Sequence, residues 1–234
     1  FIMSKFIADF FPNVANYWDI FLTALTATYQ MFFIAGLITL LIGGAFGISL
    51  IVTKTDGIKP NRIIHFILEV ITNVFRAVPF IILLIFLIPL TRSIAGTSIG
   101  VKGAVVPLVF GAVPFYTRQV ETALADVNPG KIEAARSMGS SILGIIFRVY
   151  LHEALPDLIR VTTITAISLI GLTTSAGAVG AGGIGSFAIN YGQNLHYQDV
   201  VNLCVILLLI IVSLIQLLGN TLSKATTNKE LFHK

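Results

Sequence analysis

Charge is scarce in this chain of 234 residues: Asp, Glu, Lys and Arg make up 11% of it, against 56% apolar residues and a mean hydropathy of +0.91. Soluble domains carry about 25% charge, and 26 ionisable side chains cannot clothe a water-facing surface of this size. Lipid is therefore the solvent for most of the molecule. Cysteine is nearly absent as well, and the single Cys204, set in an apolar run, excludes a disulfide-stapled secreted domain. Four histidines, His65, His152, His196 and His233, are too far apart to place two on one helical turn, so no metal-ligand set is recognisable. A nucleophile elbow for acyl transfer and a lysine-bearing phosphate loop are both missing. The expectation is a non-enzymatic chain that binds no cofactor itself and has no nucleic-acid partner.

Long uncharged runs are what the sequence does have. A helix needs about 20 residues to cross the hydrocarbon layer, and residues 20–53 give 34 without Asp, Glu, Lys or Arg. A second span is expected to begin near Phe66 and run past the uncharged window 77–91, with Arg76 snorkelling to the interface near its start. Residues 103–117 form a third, between Lys102 and Arg118, and residues 161–177 a fourth. Residues 200–223, dominated by Leu, Ile and Val, form the fifth. The fold class expected is all-α, a polytopic membrane protein with five transmembrane helices. Residues 1–19 then form an extracytoplasmic segment, 20–223 the membrane domain and 224–234 a cytoplasmic tail. Lys5, Asp9 and Asp19 surround only a short apolar patch, so no cleavable signal is expected and the first span directs insertion.

Orientation follows from the basic residues, which are retained on the cytoplasmic side. One face collects only Lys5, Arg92 and Lys102. The other collects eleven, including Lys54, Lys59, Arg62, Arg118, Lys131, Arg136, Arg148 and Arg160, which puts the N-terminus outside and the C-terminus in the cytoplasm. Spans one, three, four and five carry almost no deep ionisable residue, which speaks against a proton-coupled pump. Gly43 and Gly47 make a small-residue face suited to helix packing within the chain. Pro79, Pro89, Pro107 and Pro114 mark spans two and three as places where the helix ladder loses donors.

Gly180, Gly182 and Gly185 satisfy the dinucleotide pattern G-x-G-x-x-G, with Asp199 downstream. A membrane-embedded nucleotide enzyme is the alternative that this match would support. It requires a strand before and a crossover helix and strand after, whereas apolar spans flank these glycines.

The connection at residues 118–160 holds ten of the 26 charges. Within it, Asn128 and Pro129 give an N-cap and first helical position, and Gly139 supplies a stop, so a helix is expected over 129–138, about 15 Å long. Ile132, Ala135 and Met138 recur on one face, Ala134 is small, and Glu133 can pair with Arg136 on the flank. A helix so short must be held by its own chain or by a partner.

The run Glu133-Ala134-Ala135, three residues, Gly139 and then Val149 resembles the E-A-A…G loop of permease subunits in bacterial ATP-binding-cassette importers. The resemblance extends to Arg76-Ala77-Val78-Pro79-Phe80, Ile88-Pro89-Leu90-Thr91-Arg92, Gly96-Thr97-Ser98-Ile99-Gly100, Ser168-Leu169-Ile170-Gly171 and Gly177-Ala178-Val179-Gly180-Ala181-Gly182-Gly183-Ile184-Gly185, and within the group it is nearest the methionine importer permeases. One departure is His152, which stands where the loop pattern has proline; Leu155-Pro156 follows shortly after.

That resemblance implies the type I importer permease fold and a multi-pass homodimer in the bacterial plasma membrane. Two cytoplasmic ATPase subunits, which hold ATP and Mg, would power it, and an extracytoplasmic methionine-binding protein would feed it. It also implies that the helix over 129–138 is a coupling helix, with Ile132, Glu133, Ala134, Ala135, Arg136, Met138 and Gly139 contacting the ATPase. Spans two to five are expected to form the pathway, with Gly177, Gly180, Gly182, Gly183 and Gly185 at its outer end. A permease for another small solute, such as a polar amino acid or phosphonate, is the alternative within transport.

Overall fold

The computed structural model describes residues 10–232, and no strand occurs among the described residues. The helices in chain order are α1 (Pro12–Asn16), α2 (Trp18–Thr53), α3 (Arg62–Ala77), α4 (Phe80–Phe86), α5 (Ile88–Ala95) and α6 (Gly100–Ala125). They continue with α7 (Pro129–Ser137), α8 (Ile142–Ile145), α9 (Leu155–Ala176), α10 (Gly183–Phe187) and α11 (Gln198–Phe232). Wider π-helical turns extend α8 through Ile146–Tyr150, α9 through Gly177–Ala181 and α10 through Ala188–Gln193. With no strand available, the dinucleotide reading of Gly180, Gly182 and Gly185 fails, and Asp199 is instead held by Asn13, whose backbone and side-chain nitrogens donate to it at 3.0 and 2.9 Å.

Among the described residues, four helices are long and apolar enough to cross a membrane: Trp18–Thr53, Gly100–Ala125, Leu155–Ala181 and Gln198–Thr227. A fifth exists only if α3 and α4 count as one span, because they are bent by 107° at their junction. The expected single helix from Phe66 onward is thus corrected to a broken one. Pro79 has no N–H to donate, and it forces the residue before it out of the helical region; Val78 is accordingly extended, at φ −84° and ψ 125°. Arg76 consequently sits at the C-terminal end of α3, not near the start of a span. Pro89 falls in the first turn of α5, whereas Pro107 and Pro114 lie inside α6 without ending it.

The chain divides into two compact units, one of residues up to Gly36, Pro79–Phe110 and Ile167–Leu214, the other of Leu37–Val78, Gly111–Ala166 and Ile215 onward. In the first, Val14, Phe21, Ala24, Ile184, Phe187, Val200 and Cys204 make the core. Aromatic rings knit it: Phe21 lies 5.5 Å from Phe187, and Tyr191 lies 5.2 Å from Phe187 and 4.8 Å from Tyr17. In the second, Ile51, Val52, Tyr116, Val120, Leu124, Ala135, Ile145 and Tyr150 are buried together. Gly43 and Gly47 serve that packing within the chain. A Cβ at Gly47 would lie 2.6 Å from the Val120 Cβ, so only glycine lets α2 approach α6 this closely.

The buried residues of α2, including Phe21, Ala24, Thr28, Met31, Ala35, Thr39 and Leu50, recur every three or four positions and form one stripe. Phe33, Leu37 and Leu41 on its other side are exposed. A helix that buries one stripe and still presents Leu and Phe outward suits hydrocarbon, where exposed apolar surface costs nothing and every backbone group is satisfied inside the helix.

Candidate functional site

Helix α7 begins where Asn128 turns its side-chain oxygen to accept from the Gly130 N–H at 2.8 Å, with Pro129 in the first turn. It ends one residue earlier than expected, with Met138 as the C-cap. Gly139 then takes φ 75°, and the N–H groups of Gly139 and Ser140 donate back to Arg136 and Ala135 at 3.0 Å each.

Burial divides the predicted face. Ala135 is 5% exposed, packed with Leu124, Ile145, Ile146 and Tyr150 of its own chain, and Ile132 packs half-buried on the same core. Met138 points the other way and is 78% exposed. Glu133, Ala134, Arg136 and Gly139 are exposed too, so outward contact falls to these residues with Met138. The expected Glu133–Arg136 pair does not form within 4 Å among the described residues; Lys131 pairs instead with Glu153 of the returning segment. Burial pushes the Tyr150 phenol up from its ordinary value, with nearby Asp56 acting in the same sense and Arg136 against it.

The returning segment is helical from Ile142, where the Ser141 hydroxyl accepts from the Gly144 N–H at 3.1 Å. His152 lies inside its last helical turn, Leu151–Glu153, where a proline would cost a hydrogen bond. The break comes at Ala154, and Pro156 takes the first turn of α9, the position that tolerates it. Its carbonyl accepts from the Ser223 hydroxyl at 3.1 Å.

The glycine segment after α9 is a tight crossing of backbones. Gly180 and Gly182 take φ 95° and 79°, in open space. A Cβ at Gly185 would lie 2.0 Å from the Thr174 carbonyl oxygen, and one at Gly177 would lie 2.6 Å from the Ser186 nitrogen. Gly183 packs against Thr28, whose hydroxyl accepts from the Ile184 N–H at 2.9 Å and caps α10 from outside.

A polar seam between α3 and α6 was not singled out from the sequence. The Arg118 guanidinium reaches Glu121 at 2.6 Å, Asn73 at 2.9 Å and Glu69 at 3.9 Å, and His65 lies 3.9 Å from Glu69. Its signal was the recurrence of Arg62, His65, Glu69, Asn73 and Arg76 at three- and four-residue steps. No group of His, Cys, Asp and Glu able to hold a metal is found among the described residues.

Residues 45–228 match the family described as the binding-protein-dependent transport system inner membrane component. The chain belongs to this family. The permease is 39% identical over 211 residues to the probable D-methionine transport system permease protein MetI of Vibrio cholerae, which covers 90% of this chain and 94% of that one. It is 41% identical over 174 residues to the methionine import system permease protein MetP of Bacillus subtilis, covering 74% and 78%. Among solved structures, the inward-facing MetNI methionine ABC transporter superposes with a TM-score of 0.87 at 41% identity, covering 90% of this chain and 98% of that one. An amino acid ABC transporter at 16% identity shares the fold, with a TM-score of 0.76. As an inner-membrane transport component of this family, the permease is a non-catalytic subunit.

Proposed function

We propose that this permease carries methionine inward across the bacterial inner membrane as one half of a homodimer, driven by two cytoplasmic ATPase subunits that bind ATP. The observation that carries the reading is the roughly 40% identity to methionine permeases along nearly their whole length. A methionine-binding protein on the outer side supplies the solute. The N-terminus lies outside and the C-terminus inside, as the distribution of Lys and Arg favours.

Helix α7 is the lever. Asn128 and Gly139 fix its two ends, Ala135 and Ile132 anchor it to the permease, and Glu133, Ala134, Arg136 and Met138 are free to seat on an ATPase. Closure of the ATPase pair on nucleotide then moves α7 together with the core beneath it. Residues 177–185 form the outer end of the pathway, a role supported by their positive-φ turns next to a capped short helix.

Reconstitution with candidate ATPase and binding-protein partners tests this. ATP-dependent accumulation of radiolabelled methionine inside vesicles is expected, and accumulation of a different solute with methionine left outside would overturn it.

A further inference from the structure

Residues 183–193 are fastened to one neighbour and jointed to the other. The fastening is to α2. Thr28, buried about 15 Å along that helix from Trp18, accepts from the Ile184 N–H at 2.9 Å and donates its own proton to the Ala24 carbonyl at 3.1 Å. Ile184 stands in the first turn of α10, where an N–H has no acceptor inside the helix, and it is itself buried. Two ring contacts continue the line toward the start of α2: Phe187 at 5.5 Å from Phe21, then Tyr191 at 4.8 Å from Tyr17.

The side toward α9 has no such tie. Where the backbones cross, a Cβ at Gly177 or Gly185 would lie 2.6 or 2.0 Å from the facing backbone, so the contact is made without interlocking side chains. The hydroxyls of Thr173, Thr174 and Ser175 donate back into α9, and Asn190 donates to Ser186 within its own segment. Gly180 and Gly182 join the two elements at φ 95° and 79° in open space, and Val179 beside them leaves helical geometry at φ −113° and ψ 25°. Smooth contact on one side, polar and aromatic fastening on the other and left-handed joints between them are the parts of a hinged flap.

We propose that residues 183–193 are the flap of an outer gate, hinged at Gly180 and Gly182, and that Thr28 is the positioning residue that latches it shut against α2. The inference rests on residues 177–185 forming the outer end of the pathway, and adds what holds that end closed. Lifting the flap takes the acceptor from a buried N–H, so the latch makes the shut state the resting one.

The test uses the complete transporter, permease with ATPase and binding protein, in vesicles loaded with radiolabelled methionine and given no ATP. Thr28→Val keeps the shape of the side chain and removes the hydroxyl; it should release methionine about tenfold faster than wild type, the shift expected when a buried N–H loses its acceptor. Thr28→Ser keeps the hydroxyl and should leak at nearly the wild-type rate. A packing role alone would lower the unfolding midpoint of Thr28→Val without opening a leak, so an assembled Thr28→Val that stays tight overturns the proposal, as does an equal leak from Thr28→Ser. A second variant leaves the hydroxyl in place: Tyr17→Cys with Tyr191→Cys, in a Cys204→Ser background, bridged by a short reducible thiol crosslinker. The bridge should stop ATP-driven uptake and reduction should restore it. Uptake that continues through the bridged transporter overturns the proposal even where Thr28→Val fails to assemble. Wild type separates the two levels: if it accumulates no methionine with ATP the functional reading fails, and if it does while the bridged and Thr28→Val transporters behave like it, only the flap and its latch fail.

Discussion

Replacing Gly139 by valine tests the lever through its hinge. Gly139 sits at φ 75°, where an L-residue costs roughly 1–2 kcal/mol and a β-branched one more. No heavy atom lies within 4 Å of the position a Cβ would take, so the penalty is conformational and not a clash. A cost of that size shifts the balance between the native loop end and its alternatives by about 5–30-fold. The hydrogen bonds that Gly139 and Ser140 return to Arg136 and Ala135 are the ones released. Membrane insertion should be unchanged, because the position lies outside the candidate spans. The assay is methionine accumulated per ATP hydrolysed in reconstituted vesicles, and the ratio is expected to fall several-fold. Gly139→Asn, which tolerates the left-handed region, should fall less. A wild-type ratio in Gly139→Val would refute the lever assignment.

Ala135→Leu should lower the midpoint of thermal unfolding in detergent, since overpacking a filled core costs about 1–3 kcal/mol and Ala135 is buried. Met138→Ser should leave that midpoint in place and weaken co-purification of the ATPase, because Met138 is exposed. Gly185→Ala should reduce the yield of folded protein more than Gly180→Ala, as the first drives a methyl into the Thr174 carbonyl and the second meets open space; size-exclusion profiles of the two would settle it. Glu153→Gln removes the partner of Lys131, a half-exposed pair worth at most about 1 kcal/mol. Its unfolding midpoint should barely move, and a large drop would mean that the pair does more than steady α7.

The spans at 20–53 and 200–223 were legible because absence of charge is a direct signature of lipid, and both helices appear there, the second running on into the expected tail as far as Phe232. The helices at 103–117 and 161–177 were found short. Lys102 and Arg118 lie inside α6, Asp157 and Arg160 lie inside α9 as a 2.9 Å pair, and a rule that stops spans at charges cannot see past either. Span two was misread because its uncharged window hid a bend made where Val78 and Pro79 both leave helical geometry, at ψ 125° and 135°. The caps of α7, Asn128 and Gly139, could be read locally, since capping depends on a few neighbouring residues. The inward turn of Ala135 and the Lys131–Glu153 pair could not, because both depend on where the returning segment packs. The glycines at 177–185 stood out by number, but which are held by dihedral and which by contact is a tertiary property.

The most direct measurement places a single cysteine at position 138, in a Cys204→Ser background, and crosslinks the assembled transporter in inside-out and right-side-out membrane vesicles. The cysteine should join the permease to the ATPase and be labelled by an impermeant thiol reagent only from the cytoplasmic side. Labelling from the outside, or crosslinks confined to the permease itself, would contradict the account.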